Sequence, residues 1–148
     1  MILDEILKMW SEDVKIDDLN LDEETTKSAK LHSKYLELFT LAKLQLKRNE
    51  TEMNKLRKNK WLYFSGKMTK EEMDKLGWQY DPFNGMTKPL KSDMDMYYNS
   101  DEDIIRVAGK IDYQKMMVEV LEEIMNNLRW RHTNIKNILE FKKFTSGA

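Results

Sequence analysis

Two long stretches of the chain carry apolar residues at alternating spacings of three and four, the period of an amphipathic helix. The first stretch contains Leu31, Tyr35, Leu38, Ala42, Leu46, Met53 and Leu56. Acidic residues at 22–24 suit the positive end of a helix dipole, and no glycine or proline interrupts the stretch before Gly66. We predict one helix from about 21 to about 64, with Gly66 near its C-cap.

The second stretch predicts a long C-terminal helix that begins near Ser100, with Asp103 in its first turn. Its apolar stripe is wider than the seam of a two-stranded coiled coil and suits packing on several neighbours. The pattern leaves room for a break between Trp130 and Asn134. The stripe consists of Ile104, Val107, Ile111, Val118, Leu121, Met125 and Leu128, widened by Met117, Val120 and Ile124.

Shorter signals fill the rest of the chain. Apolar residues between Ile2 and Trp10 predict a short N-terminal helix. The sequence from Thr69 to Glu72 is a capping-box pattern, which predicts a helix from about 70 to 76 that stops at Gly77. Residues 78–99 are rich in turn signals and predict an irregular region, with room for a short strand.

The predicted fold is therefore mainly α: two long amphipathic helices are joined by an irregular middle region. Two such helices would not bury each other's broad faces completely, so we expect the C-terminal helices to form an oligomeric bundle or ring. The alternative is that residues 104–144 fold back on residues 21–64 within one chain. The oligomerisation surface is predicted to comprise Ile104, Val107, Ile111, Met117, Val118, Leu121, Ile124, Met125 and Leu128.

Charge is unevenly distributed along the 148 residues, although the formal net charge is only −1. Residues 43–70 hold 9 Lys or Arg against 2 Asp or Glu, whereas the flanking windows are acidic. A window this basic is a candidate site for a polyanion. Cysteine is absent, which excludes disulfides and thiolate metal sites. The N-terminus does not resemble a signal peptide, and no apolar run is long enough to span a membrane.

The basic window ends in the segment LRKNKWLYFSGK, residues 56–67, in which cations alternate with aromatic rings. Cations attract phosphates, and exposed rings offer stacking faces to unpaired bases. The segment therefore predicts binding of single-stranded nucleic acid. Successive helical residues turn by about 100°, so we expect one or two of the three rings to pack inward. The candidate binding residues are Arg57, Lys58, Lys60, Trp61, Tyr63, Phe64 and Lys67.

Other interpretations of the same segment stay open. The rings can be core residues, and the lysines a solvated face. A basic helix with Trp and Phe also suits an anionic membrane surface. A purely structural helical adaptor that touches no nucleic acid is a further alternative.

Catalytic signatures are not found in the sequence. His32 and His132 are far apart and lack metal-ligand spacing, and there is no phosphate-binding glycine loop. The acids at Asp93, Asp95 and 101–103 are more simply loop residues and a helix N-terminus. We predict a protein that is not an enzyme and that uses no cofactor or metal.

The segment 56–67 resembles the basic and aromatic motif of the UvsY family of T-even phage recombination mediators. The stretches EDVKID (12–17), SKYLE (33–37) and DEDIIRV (101–107) are similar to that family in order and spacing. The resemblance implies that a lysine and an arginine important for DNA binding match Lys58 and Lys60. Lysine at the second position keeps the charge but loses the planar guanidinium, and Arg57 can compensate.

The same resemblance implies a DNA-binding homo-oligomer of six or seven subunits in the cytoplasm of an infected bacterial host. Its partners would be single-stranded DNA, the phage single-stranded-DNA-binding protein and a RecA-like recombinase, which it would help to load in homologous recombination and DNA repair. Residues 1–99 would form the DNA-binding region, with the helix 21–64, the motif 56–67 and the irregular stretch 68–99. Residues 100–148 would form the oligomerisation region.

Overall fold

The computed structural model describes residues 1–147, and the secondary structure within them is helical without strands. The mainly α prediction is confirmed. One 3-10 turn, Lys91–Asp93, precedes the fourth helix. The helices are α1 (Leu3–Asp13), α2 (Leu21–Phe64), α3 (Lys70–Leu76), α4 (Met94–Ser100) and α5 (Glu102–Thr145).

The helix boundaries follow from local chemistry at their ends. α2 begins with acidic residues in its first turn and is followed by Gly66, whose φ of 72° is left-handed. The Thr69 hydroxyl accepts a hydrogen bond from the Glu72 N–H, and the Glu72 carboxylate accepts one from the Thr69 N–H, both at 3.2 Å. This reciprocal cap starts α3, and left-handed Gly77 ends it. The predicted bounds of both helices are confirmed.

Two local predictions are corrected. α5 begins at Glu102 because the Asp101 carboxylate accepts the Ile104 N–H at 3.1 Å, and it runs through residues 130–134 without the break. The region 78–99 is irregular only as far as Leu90, because the 3-10 turn and α4 follow. The turn signals before Leu90 masked this short helix.

The chain divides into two compact units, each of which contains part of both long helices. They are Met1–Leu44 with Gln114–Ala148, called unit 1, and Gln45–Tyr113, called unit 2. These units do not coincide with the predicted functional regions 1–99 and 100–148, so that functional division stays a prediction.

The core of unit 1 joins α1, the first half of α2 and the C-terminal part of α5. Arg131 is 2% exposed, and its guanidinium donates to the Glu24 carboxylate, the Ser28 hydroxyl and the Val14 carbonyl. This satisfied charge ties the segment after α1 to both long helices. The buried apolar side chains that pack together in this core are Ile6, Leu31, Tyr35, Ala42, Met117, Leu121, Ile124, Met125 and Leu128.

The core of unit 2 is built from aromatic rings and methionines. These side chains come from the end of α2, from α3, from α4 and from the start of α5, so the unit holds the predicted binding segment in place. Thioethers adapt to irregular gaps between rings and make favourable contacts with ring edges. The buried members are Tyr63, Phe64, Met68, Met73, Met94, Tyr98 and Ile104.

The predicted oligomerisation stripe is mostly covered by the chain itself. Ile111 and Val118 are half-buried, and the other seven members are buried. The premise that a monomer would expose this stripe is therefore wrong, because α1 and α2 cover its unit 1 part. Large apolar side chains of α5 that do face solvent include Ile105, Tyr113 and Met116 beside the stripe, and Trp130, Leu139, Phe141 and Phe144 further along the helix.

Candidate nucleic-acid interface

The segment 56–67 forms the last turns of α2 and the reversal that follows. The Lys67 N–H donates to the Leu62 carbonyl at 2.9 Å, and the Gly66 N–H donates to the Tyr63 carbonyl at 3.2 Å. This pair of bonds is a Schellman cap, which requires the left-handed conformation that glycine adopts without strain. The basic and aromatic residues before Gly66 are therefore helical, and Lys67 leaves in a new direction.

Burial divides the seven predicted binding residues into two groups. Arg57, Lys58, Trp61 and Lys67 are exposed, whereas Lys60, Tyr63 and Phe64 are 4%, 7% and 7% exposed. Two of the three rings thus pack inward, as the helical turn of about 100° per residue predicts. DNA contact remains a prediction for the exposed group. The side chains of the buried group pack against other residues of unit 2.

Lys60 is the most unexpected member of the buried group. Its ammonium lies 3.0 Å from Asp101 Oδ1 and 2.9 Å from Asp103 Oδ2, and 3.9 Å from the ring centroid of Trp78. The hydrogen bond from Lys60 holds the pKa of Asp103 below its ordinary value. A buried ammonium is tolerated only with such partners, and we call this arrangement the clamp. The charge of Lys60 is thus engaged within the protein, and a phosphate contact by Lys60 stays a prediction.

The two buried rings belong to an aromatic cluster. The Tyr63 hydroxyl donates to the Gln79 carbonyl at 2.6 Å, and its ring lies 5.0 Å from that of Trp78. Burial is the main cause of the raised pKa of Tyr63. Phe64 contacts the rings of Phe83, Tyr97 and Tyr98 at centroid distances of 5.8 to 6.2 Å. These contacts fix the orientation of the end of α2.

The exposed group combines charge with one accessible ring. Trp61 is 40% exposed, and the Lys67 ammonium lies 4.6 Å from its ring centroid. The Arg57 guanidinium lies 4.6 Å from the ring of Tyr98. Within residues 1–147, neither these cations nor Lys58 form an ion pair with a carboxylate. Their charge is available to an anionic ligand.

Three further cations extend this surface and were not singled out from the sequence. Lys47 and Lys58 are eleven residues apart, three helical turns or about 16 Å along one face of α2. Arg48 and Lys55 are seven residues apart on the strip beside it, and both are exposed. Their spacing within the basic window was the signal that could have identified them. We call Lys47, Arg48, Lys55, Lys58 and Trp61 the basic face.

No cluster of His, Asp and Glu in the described part of the chain could hold a metal ion. His32 and His132 are exposed, on different helices. None of the helices in residues 1–147 combines the length and the apolarity that crossing a bilayer requires.

The clamp predicts opposite consequences for two lysines that are two residues apart. Lys60→Ala should lower the free energy of unfolding by roughly 2–4 kcal/mol, since it removes the ammonium that lies between two carboxylates in a partly buried site. Lys58→Ala should change it by less than about 0.5 kcal/mol, because its side chain is exposed. Urea unfolding followed by circular dichroism measures both. Equal stability of the two variants would refute the clamp.

Comparisons with known proteins were made over the whole chain. The model of the family described as "Recombination, repair and ssDNA binding protein UvsY" matches residues 9–148. The curated recombination protein uvsY of Enterobacteria phage T4 is 23% identical over 147 residues, which cover 99% of each sequence.

Solved structures agree with this match. The crystal structure of the bacteriophage T4 recombination mediator protein UvsY in lattice type II superposes with a TM-score of 0.83, at 23% identity, covering 99% of this chain and 98% of the other. Lattice type I gives 0.81 at 22% identity, covering 95% and 98%. At this identity the structures show a shared fold. The family model spans nearly the whole chain, and the protein therefore belongs to the UvsY family of recombination, repair and single-stranded-DNA-binding proteins.

Proposed function

We propose that this protein binds single-stranded DNA through the basic face of α2, with Arg57 and Lys67 at its margins. The observation that carries the proposal is the set of exposed cations on one helical surface, unpaired with carboxylates within residues 1–147, beside the half-exposed ring of Trp61. Phosphate neutralisation by such cations gains free energy from released counterions. The ring adds a stacking face that any base can use.

Lys60, Tyr63 and Phe64 support this surface indirectly in the proposal. The Lys60 clamp and the aromatic cluster fix the end of α2, so that Lys58 and Trp61 point outward. A substitution at Lys60 would then weaken DNA binding by disturbing the surface, without a lost phosphate contact. This role differs from the direct contact that the family resemblance implies for this position.

We further propose that the protein acts as a recombination mediator. The T4 protein with the same fold is described as a recombination mediator protein. The description of the family names recombination, repair and single-stranded-DNA binding. Binding would prepare a strand for a RecA-like recombinase in place of the phage single-stranded-DNA-binding protein, in the cytoplasm of the infected host. The protein itself would perform no catalytic step.

Assembly into a homo-oligomer, a hexamer or heptamer, is part of the proposal because one short basic face binds weakly. Several faces on one strand raise the affinity without a new type of contact. The exposed Trp130, Leu139, Phe141 and Phe144 on α5 replace the buried stripe as the candidate subunit contact, with a second copy of the chain as the occupant. Aromatic side chains are enriched in such interfaces.

The DNA interface predicts a specific salt dependence. In Lys47→Gln with Lys58→Gln, the slope of log affinity against log salt should fall by about 1.4 for each protomer engaged, because each neutralised phosphate on a single strand contributes about 0.7. The matched control, Lys8→Gln with Lys30→Gln, removes two exposed lysines elsewhere and should keep the slope. Fluorescence anisotropy of a labelled oligothymidine measures both. Equal slopes in the two double variants would contradict the interface.

If the exposed part of α5 forms the subunit contact, substitutions there should change the assembly, whereas substitutions in the buried stripe should change the stability of the protomer. Phe141→Ser with Phe144→Ser should reduce the mass found by analytical ultracentrifugation, while helicity and the melting temperature of the protomer are kept. Leu121→Ala should instead lower the free energy of unfolding by about 2–5 kcal/mol, because Leu121 is fully buried in unit 1. A parent protein that sediments as a monomer at micromolar concentration would rule out the assembly.

A further inference from the structure

Unit 2 contains a cavity of about 330 Å³ that the basic face does not use. It lies against the reversal after α2, where Gly66 and Met68 form part of its lining. Tyr63, Met73 and Phe83 supply further walls, so rings and thioethers dominate them. The volume falls at the low end of the range in which proteins hold small organic ligands. Flat, polarisable ligands suit such walls, because they stack on rings and contact sulfur favourably.

The outer wall of the cavity is held by its own hydrogen bonds. The Asp81 carboxylate accepts the Phe83 N–H at 3.1 Å and the Gly85 N–H at 2.7 Å. Asn84 and Gly85 are left-handed, with φ of 50° and 80°, which closes the turn. The Gln79 side-chain amide donates to the Asn84 side-chain oxygen at 3.3 Å. The wall is therefore a built turn, and the negative charge of Asp81 is already engaged by backbone donors.

Positive charge lies beside this cavity. Lys88 lines the cavity, and its side chain passes close to Gly66. A β-carbon on residue 66 would overlap the Lys88 ammonium. Any side chain at position 66 would displace that ammonium. The Lys70 ammonium lies 5.5 Å from the ring centroid of Tyr80, another lining residue. Within residues 1–147, neither lysine forms an ion pair.

Aromatic walls with two flanking ammonium groups match the two parts of a nucleotide. The walls suit the base, and the ammonium groups suit the adjoining phosphate. The cavity also continues the candidate interface along the chain, because Gly66 lines it directly before Lys67. The cavity therefore lies at the end of the segment that contains Trp61, where it is placed to receive a base that turns out of the bound strand.

We propose that this cavity receives one unpaired nucleobase of the bound strand, with Lys88 and Lys70 near its phosphate. The inference rests on the proposed single-strand binding and adds a recessed subsite to an open surface. Capture of one base would hold the strand in a fixed register and direction on each protomer, which counterion release alone cannot do.

Photo-crosslinking tests the subsite with the folded protein bound to a strand. An oligothymidine in which single thymines are replaced by 5-iodouracil is irradiated in the complex, and crosslinked peptides are mapped by mass spectrometry. The expected result is a crosslink within residues 79–88 or at Met68 or Met73, in addition to one at Trp61. Crosslinks at Trp61 alone, with salt-dependent binding intact, would overturn the subsite and leave the proposed function standing.

Two substitutions of exposed lysines, one lining the cavity and one outside it, provide a matched control for the crosslinking test. Lys88→Gln should reduce the crosslink yield in residues 79–88 by about fivefold or more, whereas Lys91→Gln, three residues further on and exposed, should leave it unchanged. Trp61→Ala should reduce overall affinity but keep the crosslink in the cavity. An equal loss of the cavity crosslink in Lys88→Gln and Lys91→Gln would show a general charge effect and overturn the assignment.

A free nucleotide carries the same base and phosphate groups as a nucleotide of the strand, so it is the alternative ligand for the cavity. 5-Iodo-deoxyuridine monophosphate, at the micromolar concentration of the oligonucleotide, should label residues 79–88 at least tenfold less, because it lacks the basic-face contacts. Labelling as strong as that by the strand would show a mononucleotide site and overturn the strand-base proposal. If the protein binds no oligonucleotide at all, the proposed function itself is refuted.

Discussion

The candidate interface depends on one buried ammonium group. Lys60 is held between Asp101 and Asp103 at the start of α5 and under the ring of Trp78. A lysine in this position is stable only while all of these partners are present, so the clamp fixes the end of α2 against the start of α5. Because helical residues turn by about 100°, the orientation of Lys60 sets that of Lys58 and Trp61. Their exposure is thus a consequence of the clamp.

The clamp also explains how cations and rings can be concentrated in one short segment. Two of the three rings, Tyr63 and Phe64, are buried in a cluster of rings and thioethers, which stabilises the unit. The remaining ring, Trp61, is half-exposed and beside Lys67. The acidic charge that Lys60 requires comes from Asp101 and Asp103, which are partly buried and form no ion pair with the cations of the basic face. In the proposed function, the Lys60 clamp stabilises the helix end, and the exposed cations and Trp61 on the same helical turns bind the strand.

Much of the fold could be predicted from the sequence, because helix ends are set by neighbouring residues. The caps at Thr69 and Gly77 and the stop at Gly66 have local causes, and their positions were predicted. The roles of individual side chains were harder to predict than the helix ends. Lys58 and Lys60 have the same charge, and the sequence assigned both to one binding surface without showing that Lys60 is covered. The partners Asp101 and Asp103 lie far along the chain, and no local pattern links them to Lys60. The apolar stripe of α5 likewise showed that Leu121 is buried, but not that α1 and α2 cover it.

The most direct test of this account is the chemical reactivity of individual lysines. Reductive methylation with formaldehyde, read by mass spectrometry, is carried out on the native protein with and without oligothymidine. The account predicts that Lys47, Lys55 and Lys58 react readily in the free protein and are protected by the oligonucleotide. Lys60 should stay unreactive in both states and react only after unfolding. A Lys60 that reacts readily in the free protein and is protected by the oligonucleotide would contradict the account.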